Sequence, residues 1–164
     1  MAGIGHVGIG LAAKRVAPEV PTGVLLLAVE ASDILWGVFA LAGIESRHPL
    51  NPGSAAVSPW SHGLFMSAVW SVITALLAAR VYRNSRTGAV IGLLVFSHWV
   101  LDFISHLMWP STLPDLPLLF AGSPKVGLGL YRSPGVSLAT DLGLLILGVV
   151  IYIRTITARK RLGA

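Results

Sequence analysis

Four long runs of apolar residues dominate the chain. They cover Thr22–Ile44, Trp60–Val81, Thr87–Trp109 and Val136–Ile156. Each run is long enough to cross about 30 Å of hydrocarbon as a helix, and none shows the alternation that is typical of a barrel strand. A shorter apolar stretch, Ala2–Ala13, is too short for an ordinary span. The pattern predicts an all-α integral membrane protein, a single domain over residues 1–164 with about four transmembrane helices and a short N-terminal membrane-inserted helix.

The composition supports this prediction. Of the 164 residues, 54% are hydrophobic and only 12% are charged, whereas soluble domains have roughly 25% charged residues. So few charges would not cover the surface of a soluble protein of this length. The chain also contains no cysteine, which excludes disulfides, thiolate metal sites and a cysteine nucleophile.

The basic residues indicate an orientation. Nine of the twelve form three clusters: Lys14 and Arg15 before the first long run, Arg80, Arg83 and Arg86 between the second and third, and Arg154, Arg159, Lys160 and Arg161 at the end of the fourth. The other three, Arg47, Lys125 and Arg132, lie in the segments expected on the opposite side. If the four runs alternate in direction, all three clusters lie on one side, which is the cytoplasmic side. We therefore expect a protein of the plasma (inner) membrane with a cytoplasmic C-terminus and lipid as its surroundings. Because topology explains the positive charge, we expect no nucleic-acid partner.

The segment at about residues 110–135 is predicted to be an outer loop with unusual properties. It contains five prolines and four glycines, which disfavour a helix, yet leucines keep it apolar. Such a stiff, apolar loop is expected to fold back over the helix ends as a lid. An ordinary connector at the membrane interface is the alternative.

Ionisable side chains inside the apolar runs are the features that point to chemistry. Four of the seven acidic residues lie there: Glu30, Asp33, Asp102 and Asp141. A carboxylate at membrane depth costs roughly 2.5–3.5 kcal/mol on insertion scales, so a chain that keeps several is expected to use them. Glu30 and Asp33 are three residues apart, and their charges need a cation or shared protons, although Glu30 alone could simply stay protonated.

One helix face has the sharpest pattern. His98, Asp102 and His106 are spaced four residues apart, so each lies about one turn from the next. An imidazole and a carboxylate at this spacing can hold one cation, as helical zinc sites do. A hydrogen-bonded pair that joins helices is the simpler alternative for this spacing. However, His6 lies among glycines that permit close helix packing, and His62 starts the second run, so every apolar segment contributes an ionisable group. This distribution predicts one convergent site.

At these residues the chain resembles a family of small bacterial inner-membrane proteins, the membrane-bound metal-dependent hydrolases or YdjM-like family. The matching elements are Gly5-His6, Asp33, Ser61-His62, and Ser97-His98 followed by Asp102, in the same order over about residues 3–108. The resemblance implies a helical membrane fold, a divalent metal and hydrolysis. The chain lacks one acid of the Pro-Asp-x-Asp cluster and the Arg of the Arg-Gly-x-Thr-His-Ser stretch that many members have, which leaves the number of metal ions open.

The resulting hypothesis is a membrane-embedded metal-dependent hydrolase that cleaves a lipid or amphiphilic ester or phosphoester through a metal-activated water. The expected metal ligands are His6, Asp33, His62, His98 and Asp102, a nitrogen and oxygen set that suits Zn²⁺ best and Mn²⁺ or Fe²⁺ next. Glu30 or Asp141 is expected to act as general base, and His106 to donate a proton to the leaving group. Two alternatives stay open: a transporter that conducts protons or metal ions, and a non-catalytic membrane scaffold.

Overall fold

The computed structural model describes residues 3–45, 58–106 and 116–162, and these residues are mostly helical. Six α-helices lie within them: α1 Gly3–Ala12, α2 Thr22–Val29, α3 Ala31–Leu41, α4 Leu64–Tyr82, α5 Ser85–Ser105 and α6 Pro134–Leu162. Two short 3₁₀ turns occur at Ala13–Arg15 and Leu130–Arg132, and β1 (Leu116–Pro117) pairs antiparallel with β2 (Lys125–Val126). The described residues are mostly helical, as the prediction of an all-α fold requires, apart from the short β1–β2 pair.

Three of the described helices are long and apolar enough to span a membrane, namely α4, α5 and α6, and the count becomes four if α2 and α3 together form one span. In α4 and α6 most apolar side chains face outward, among them Leu76 and Ile146, which are 66% and 62% exposed. Helix α5 is far more buried than either. It is therefore the central helix, and the outward faces of α4 and α6 suit a lipid environment. The inner-membrane location and the cytoplasmic C-terminus stay predictions.

The first apolar run is not one helix, so the prediction of a single span over Thr22–Ile44 is wrong in this detail. Helices α2 and α3 are bent by 60° at Glu30, whose φ is −93° and ψ is 6°. In a straight helix the Val29 carbonyl would accept a hydrogen bond from the residue four positions later. Here it accepts one from Nδ1 of His98, at 2.7 Å. A side chain that replaces a backbone hydrogen bond of the helix is a common cause of a sharp kink.

Other helix ends also differ from the predicted boundaries. Helix α5 ends at Ser105 and not at Trp109, because His106 takes up extended backbone angles, while its N–H still bonds the Asp102 carbonyl at 2.7 Å. Residues 107–109 of that run lie outside the described residues. Helix α6 continues through the basic residues to Leu162, because arginine and lysine are good helix formers and favour the C-terminal end of a helix.

Helix α1 packs against α6 through direct backbone contact. A Cβ atom on Gly8 would lie 2.3 Å from the Leu144 carbonyl oxygen, and one on Gly148 would lie 2.1 Å from the Gly8 carbonyl oxygen. No larger residue fits at either position without moving a helix. Small residues let membrane helices approach in this way, as predicted for the N-terminal glycines, and the contact holds α1 where His6 faces α5.

Helices α4 and α5 are also joined through small residues. Cβ atoms on Gly88 and Gly92 would lie 2.5 Å and 2.7 Å from the carbonyl oxygens of Ala75 and Ser71. The Ser71 hydroxyl in turn donates a hydrogen bond of 2.7 Å to the Gly92 carbonyl. These contacts fix the register of α4 against α5, and therefore fix His62, just before α4, against the last turns of α5.

The described part of the outer loop lies across the same end of the bundle. The Leu118 carbonyl accepts a hydrogen bond from the Phe65 N–H, and the Leu128 N–H donates to the Phe103 carbonyl, at 3.0 Å and 2.7 Å. The Phe120 ring contacts the Phe65 ring, with centroids 6.3 Å apart. The loop is thus attached to the start of α4 and to the last turn of α5. Residues 110–115 of the predicted lid lie outside the described residues.

Candidate metal centre

Asp102 is the centre of a cluster of histidines. Its side chain, on α5, is only 4% exposed, and the Nε2 atoms of four histidines lie close to its carboxylate oxygens. The distances are 3.3 Å for His106, 3.4 Å for His98, 3.7 Å for His62 and 3.8 Å for His6. The spacing of His98, Asp102 and His106 by four residues thus produces the contacts that it predicts.

Asp33 joins the cluster from α3. Its Oδ1 lies 3.2 Å from Nε2 of His62 and 3.6 Å from Nε2 of His98. Five segments of the chain therefore contribute side chains to one site: α1, α3, the residues before α4, α5 and the residue after it. All five side chains predicted as metal ligands lie in this cluster, and so does His106.

Four donor atoms of the cluster alternate between nitrogen and oxygen. They are Nε2 of His62, Nε2 of His98, Oδ1 of Asp33 and Oδ2 of Asp102, and their four nitrogen–oxygen distances are 3.2, 3.4, 3.6 and 3.7 Å. A tetrahedral ion with ligands at about 2.0–2.1 Å has ligand–ligand distances of about 3.3–3.4 Å. These four nitrogen–oxygen separations are near that value, although no group among the described residues that has all its donor atoms within 4.8 Å of one another contains all four residues.

Two groups among the described residues could hold a metal ion. One consists of Asp33, His62 and His98, the other of His6, His98 and Asp102, and within each group the donor atoms lie within 4.8 Å of one another. The two groups share His98. Because Nδ1 of the His98 ring is already hydrogen-bonded to the protein, only Nε2 is left to bind a metal ion. This nitrogen can bind one ion at a time.

The hydrogen bond of His98 fixes which of its nitrogens carries a proton. The Val29 carbonyl can only accept, so Nδ1 of His98 is the donor in their 2.7 Å contact. In the neutral ring, Nε2 then has a lone pair that points at Asp33 and Asp102. A lone pair beside two carboxylates requires a proton or a cation between them. Metal-bound histidines characteristically have their second nitrogen held by a carbonyl or carboxylate in this way.

His62 has a similar arrangement, made by residues that the sequence analysis did not single out as functional. Nδ1 of His62 lies 2.8 Å from Oγ of Ser61, and this hydroxyl lies 2.6 Å from Oε2 of Glu45. Ser61 is named in the sequence analysis only as part of the Ser61-His62 element, and Glu45 is not named there. Glu45 precedes Ser61 by 16 residues, a separation that no turn of one helix relates, so only a serine beside a histidine could have pointed to the contact.

His6 reaches the cluster by stacking. Its ring lies on the His98 ring, with centroids 4.1 Å apart and planes inclined by 15°. The His6 side chain is 2% exposed. The close α1–α6 contact described above therefore places a fully buried imidazole against the centre of the cluster.

Glu30, predicted as a general base, lies at the bend between α2 and α3. Its carboxyl is within electrostatic range of His98, Asp33 and Asp102. Its Oε1 is buried and has no hydrogen-bond partner among the residues that the structure describes. The residue thus borders the cluster without a direct contact to a donor atom.

Asp141, the other predicted base, lies next to the cluster on the α6 side. It is buried, and its Oδ1 accepts a hydrogen bond of 2.6 Å from the Tyr131 hydroxyl. Burial and this hydrogen bond raise the pKa of Tyr131 above its usual value, so the phenol stays a donor. A cavity of about 20 Å³, enough for one water, is lined by both residues and by His6 and Ser105. His6 connects this cavity to the cluster.

The cluster is open on one side. The Asp33 side chain is 52% exposed, whereas those of His98 and Asp102 are 1% and 4% exposed. Beside Asp33 on α3, Ile34 and Val38 are also exposed, at 47% and 54%. The open side of the cluster therefore has an exposed apolar residue, Ile34, next to Asp33 in the chain.

Comparison of the chain with models of protein families, with curated proteins and with solved structures finds no match in any of the three. The resemblance to the YdjM-like family therefore stays a prediction. The functional conclusion rests on the geometry of the cluster.

Proposed function

We propose that the protein is a membrane-embedded metal-dependent hydrolase of the YdjM-like type, with zinc as its preferred ion. The observation that carries this proposal is the arrangement of His62, His98, Asp33 and Asp102. The donor atoms of Asp33, His62 and His98 lie within 4.8 Å of one another, with Asp102 3.4 Å from His98 and 3.7 Å from His62. Three such side chains can hold a tetrahedral ion and leave its fourth position to water. Both histidines also have Nδ1 within hydrogen-bond distance of a protein oxygen, which supports Nε2 as the ligand atom.

Imidazole and carboxylate donors favour Zn²⁺, with Mn²⁺ and Fe²⁺ next. When bound, such an ion lowers the pKa of a water molecule and polarises a carbonyl or phosphoryl oxygen. In the proposal Asp33, His62 and His98 hold the ion, and its fourth position is left to water. Asp102 lies beside both histidines, and His6 faces its other oxygen, Oδ1, at 3.8 Å on the α1 side.

Asp141 is the proposed general base. Its Oδ1 is held by the Tyr131 hydroxyl, so its second oxygen is left to accept a proton from a water in the adjoining cavity. Glu30 is the alternative base, because it borders the cluster at the bend between α2 and α3. His106 is the proposed proton donor to the leaving group, since its side chain is 21% exposed and its Nε2 lies 3.3 Å from Asp102.

The proposed substrate is a lipid or an amphiphilic ester or phosphoester. The exposed side of the cluster, at Asp33, adjoins the apolar residues Ile34 and Val38. On the loop above α4, Phe120 is 52% exposed and contacts the exposed Trp60 ring. These surfaces suit an alkyl chain, while the buried polar cluster suits the ester group.

Hydrolysis of chromogenic amphiphiles tests the proposal. The probes are p-nitrophenyl decanoate and the p-nitrophenyl diester of decyl phosphate in detergent micelles, with p-nitrophenyl acetate as the short-chain comparison. We expect the zinc-loaded protein to hydrolyse at least one long-chain probe, and chelation to abolish the activity. Asp141→Asn should lower kcat by about 10²–10⁴-fold and retain zinc. Absence of zinc-dependent hydrolysis of both long-chain probes would contradict the proposal.

A further inference from the structure

A buried hydrogen-bond chain leads from Glu45 to His62. Glu45, which follows α3, is 5% exposed, and Ser61 is completely buried. Oε1 of Glu45 accepts hydrogen bonds from the backbone N–H groups of Trp60 and Ser61, at 2.8 Å and 3.0 Å. Its Oε2 contacts the Ser61 hydroxyl at 2.6 Å, and this hydroxyl contacts Nδ1 of His62 at 2.8 Å. Both oxygens of the Glu45 carboxylate therefore have hydrogen-bond partners.

The chemistry of the three groups sets the direction of each bond. An ionised carboxylate only accepts, so the Ser61 hydroxyl must donate its proton to Glu45. The Ser61 oxygen can then only accept from His62, which places the ring proton on Nδ1. The lone pair of neutral His62 is consequently on Nε2, the atom that lies 3.2 Å from Asp33 and 3.7 Å from Asp102.

We propose that Glu45, acting through Ser61, is a positioning residue that holds His62 in the tautomer needed to bind a metal ion. The inference rests on the proposed metal centre, because it assigns a role to two residues behind one of its ligands. Partners behind a metal-bound histidine orient the ring and fix its tautomer, and their loss typically lowers metal affinity 10- to 100-fold.

Glu45→Gln tests the direction of the chain with little change in shape. The glutamine oxygen would still accept the hydrogen bonds of the two backbone N–H groups, and the side-chain NH₂ group of the glutamine would face Ser61. Because NH₂ only donates, the Ser61 hydroxyl would turn and donate to Nδ1 of His62. The ring proton would then move to Nε2, where it blocks metal binding. Ser61→Ala is the second variant, because it removes the link and leaves the backbone contacts of Glu45 intact.

The experiment uses the full-length protein in detergent. Zinc affinity is measured by competition with a chromogenic chelator, and the tautomer of His62 by ¹⁵N NMR of histidine-labelled, zinc-free protein. For Glu45→Gln we expect a zinc Kd that is about 10- to 100-fold weaker and loss of the proton on Nδ1 of His62, which the wild type carries whether or not Nε2 is also protonated beside Asp33. Ser61→Ala should weaken zinc binding over the same range.

The matched control is Glu19→Gln. Glu19 also accepts a hydrogen bond from a hydroxyl, that of Thr87, but lies outside the cluster. The Glu19→Gln protein should bind zinc like the wild type.

Two results would overturn the inference: an unchanged His62 tautomer in Glu45→Gln, or, with a wild type that binds zinc, zinc affinities of both variants equal to that of the wild type. Failure of the metal centre itself looks different. In that case the wild type and all variants bind no zinc, while the His62 tautomer still changes in Glu45→Gln. That outcome would retain the effect of Glu45 on the ring and contradict the proposed function.

Discussion

At the residue scale, His98 and His62 share one arrangement although they come from different parts of the chain. Each has Nδ1 within hydrogen-bond distance of a protein oxygen, from Val29 or Ser61, and Nε2 beside Asp33 and Asp102. If these imidazoles only joined helices by hydrogen bonds, either ring nitrogen could face the carboxylates. The common orientation of all four imidazoles, with Nε2 toward Asp102, favours a role as ligands.

Tyr131→Phe tests the contact that holds Asp141. The change removes the donor of the 2.6 Å bond and leaves a buried carboxylate with less solvation. We expect the free energy of unfolding to fall by about 1–3 kcal/mol, as measured by thermal and denaturant unfolding in detergent. Tyr152→Phe is the control, because the Tyr152 hydroxyl has only a 3.4 Å contact with Thr22 and its loss should have little effect. Equal stability of the two variants would show that the Tyr131–Asp141 bond contributes nothing.

The residues of the cluster were predictable to different degrees. The spacing of His98, Asp102 and His106 predicts their contact, since residues four apart on a helix lie one turn apart. Glu45 and Tyr131 were not predictable, because they reach Ser61 and Asp141 from loops, where no period relates sequence distance to spatial distance. Ser61 carried a weak signal as the neighbour of His62.

At the element scale, the bend at Glu30 matters for the site. At the bend the Val29 carbonyl accepts a hydrogen bond from His98 in place of a backbone hydrogen bond within the helix. Asp33 on α3 still faces the cluster. The apolar run predicts the presence of helix on both sides but not the bend, because no proline or glycine marks it. The kink depends on a tertiary contact with α5, which sequence pattern does not encode locally.

The α1–α6 contact gives a second prediction at this scale. Gly148→Ala would place a methyl group 2.1 Å from the Gly8 carbonyl oxygen, so α1 must move away from α6. We expect the free energy of unfolding to fall by about 1–3 kcal/mol. Gly143→Ala is the matched control on the same helix, since a Cβ there meets nothing within 4 Å. If Gly148→Ala is as stable as Gly143→Ala, the close backbone contact is absent.

The segment between α1 and α2 is joined to α5 by a hydrogen bond that depends on pH. The Thr87 hydroxyl donates to Glu19, and this bond lowers the pKa of Glu19 below its ordinary value of 4.5, with a smaller contribution from Arg86. A carboxyl whose pKa is lowered by folding stabilises the folded state above its unfolded pKa, and this stabilisation is lost as pH falls through the folded value.

Thr87→Val tests this linkage. Because Glu19 is exposed, we expect the bond to contribute only about 0.5 kcal/mol. The difference in free energy of unfolding between wild type and Thr87→Val should have its largest value above pH 4.5 and become smaller at lower pH. Thr74→Val is the control, since Thr74 donates to the backbone carbonyls of Trp70 and Ser71 and its effect should not change with pH. A pH-independent effect of Thr87→Val would contradict the account.

At the scale of the whole molecule, the site and the basic residues lie at opposite ends of the α4–α5 hairpin. His62 and His106 lie at the open end, just before α4 and just after α5, whereas Arg83 and Arg86 lie where the two helices connect. The outer loop covers the same end as the histidines. This polarity follows from the alternation of apolar runs and charges, so the sequence could predict it. The identity of the central helix, α5, follows from packing and could not be predicted in the same way.

The measurement that tests the central claim most directly is the metal content of the detergent-purified protein, beside Asp102→Asn and Asp141→Asn. Asp102 faces four imidazoles, whereas Asp141 lies outside the cluster and bonds Tyr131. We expect about one zinc ion per chain or more in the wild type and in Asp141→Asn, and less than about a tenth of that amount in Asp102→Asn. Equal metal content in all three proteins, or no metal in the wild type after incubation with zinc, would contradict the metal centre.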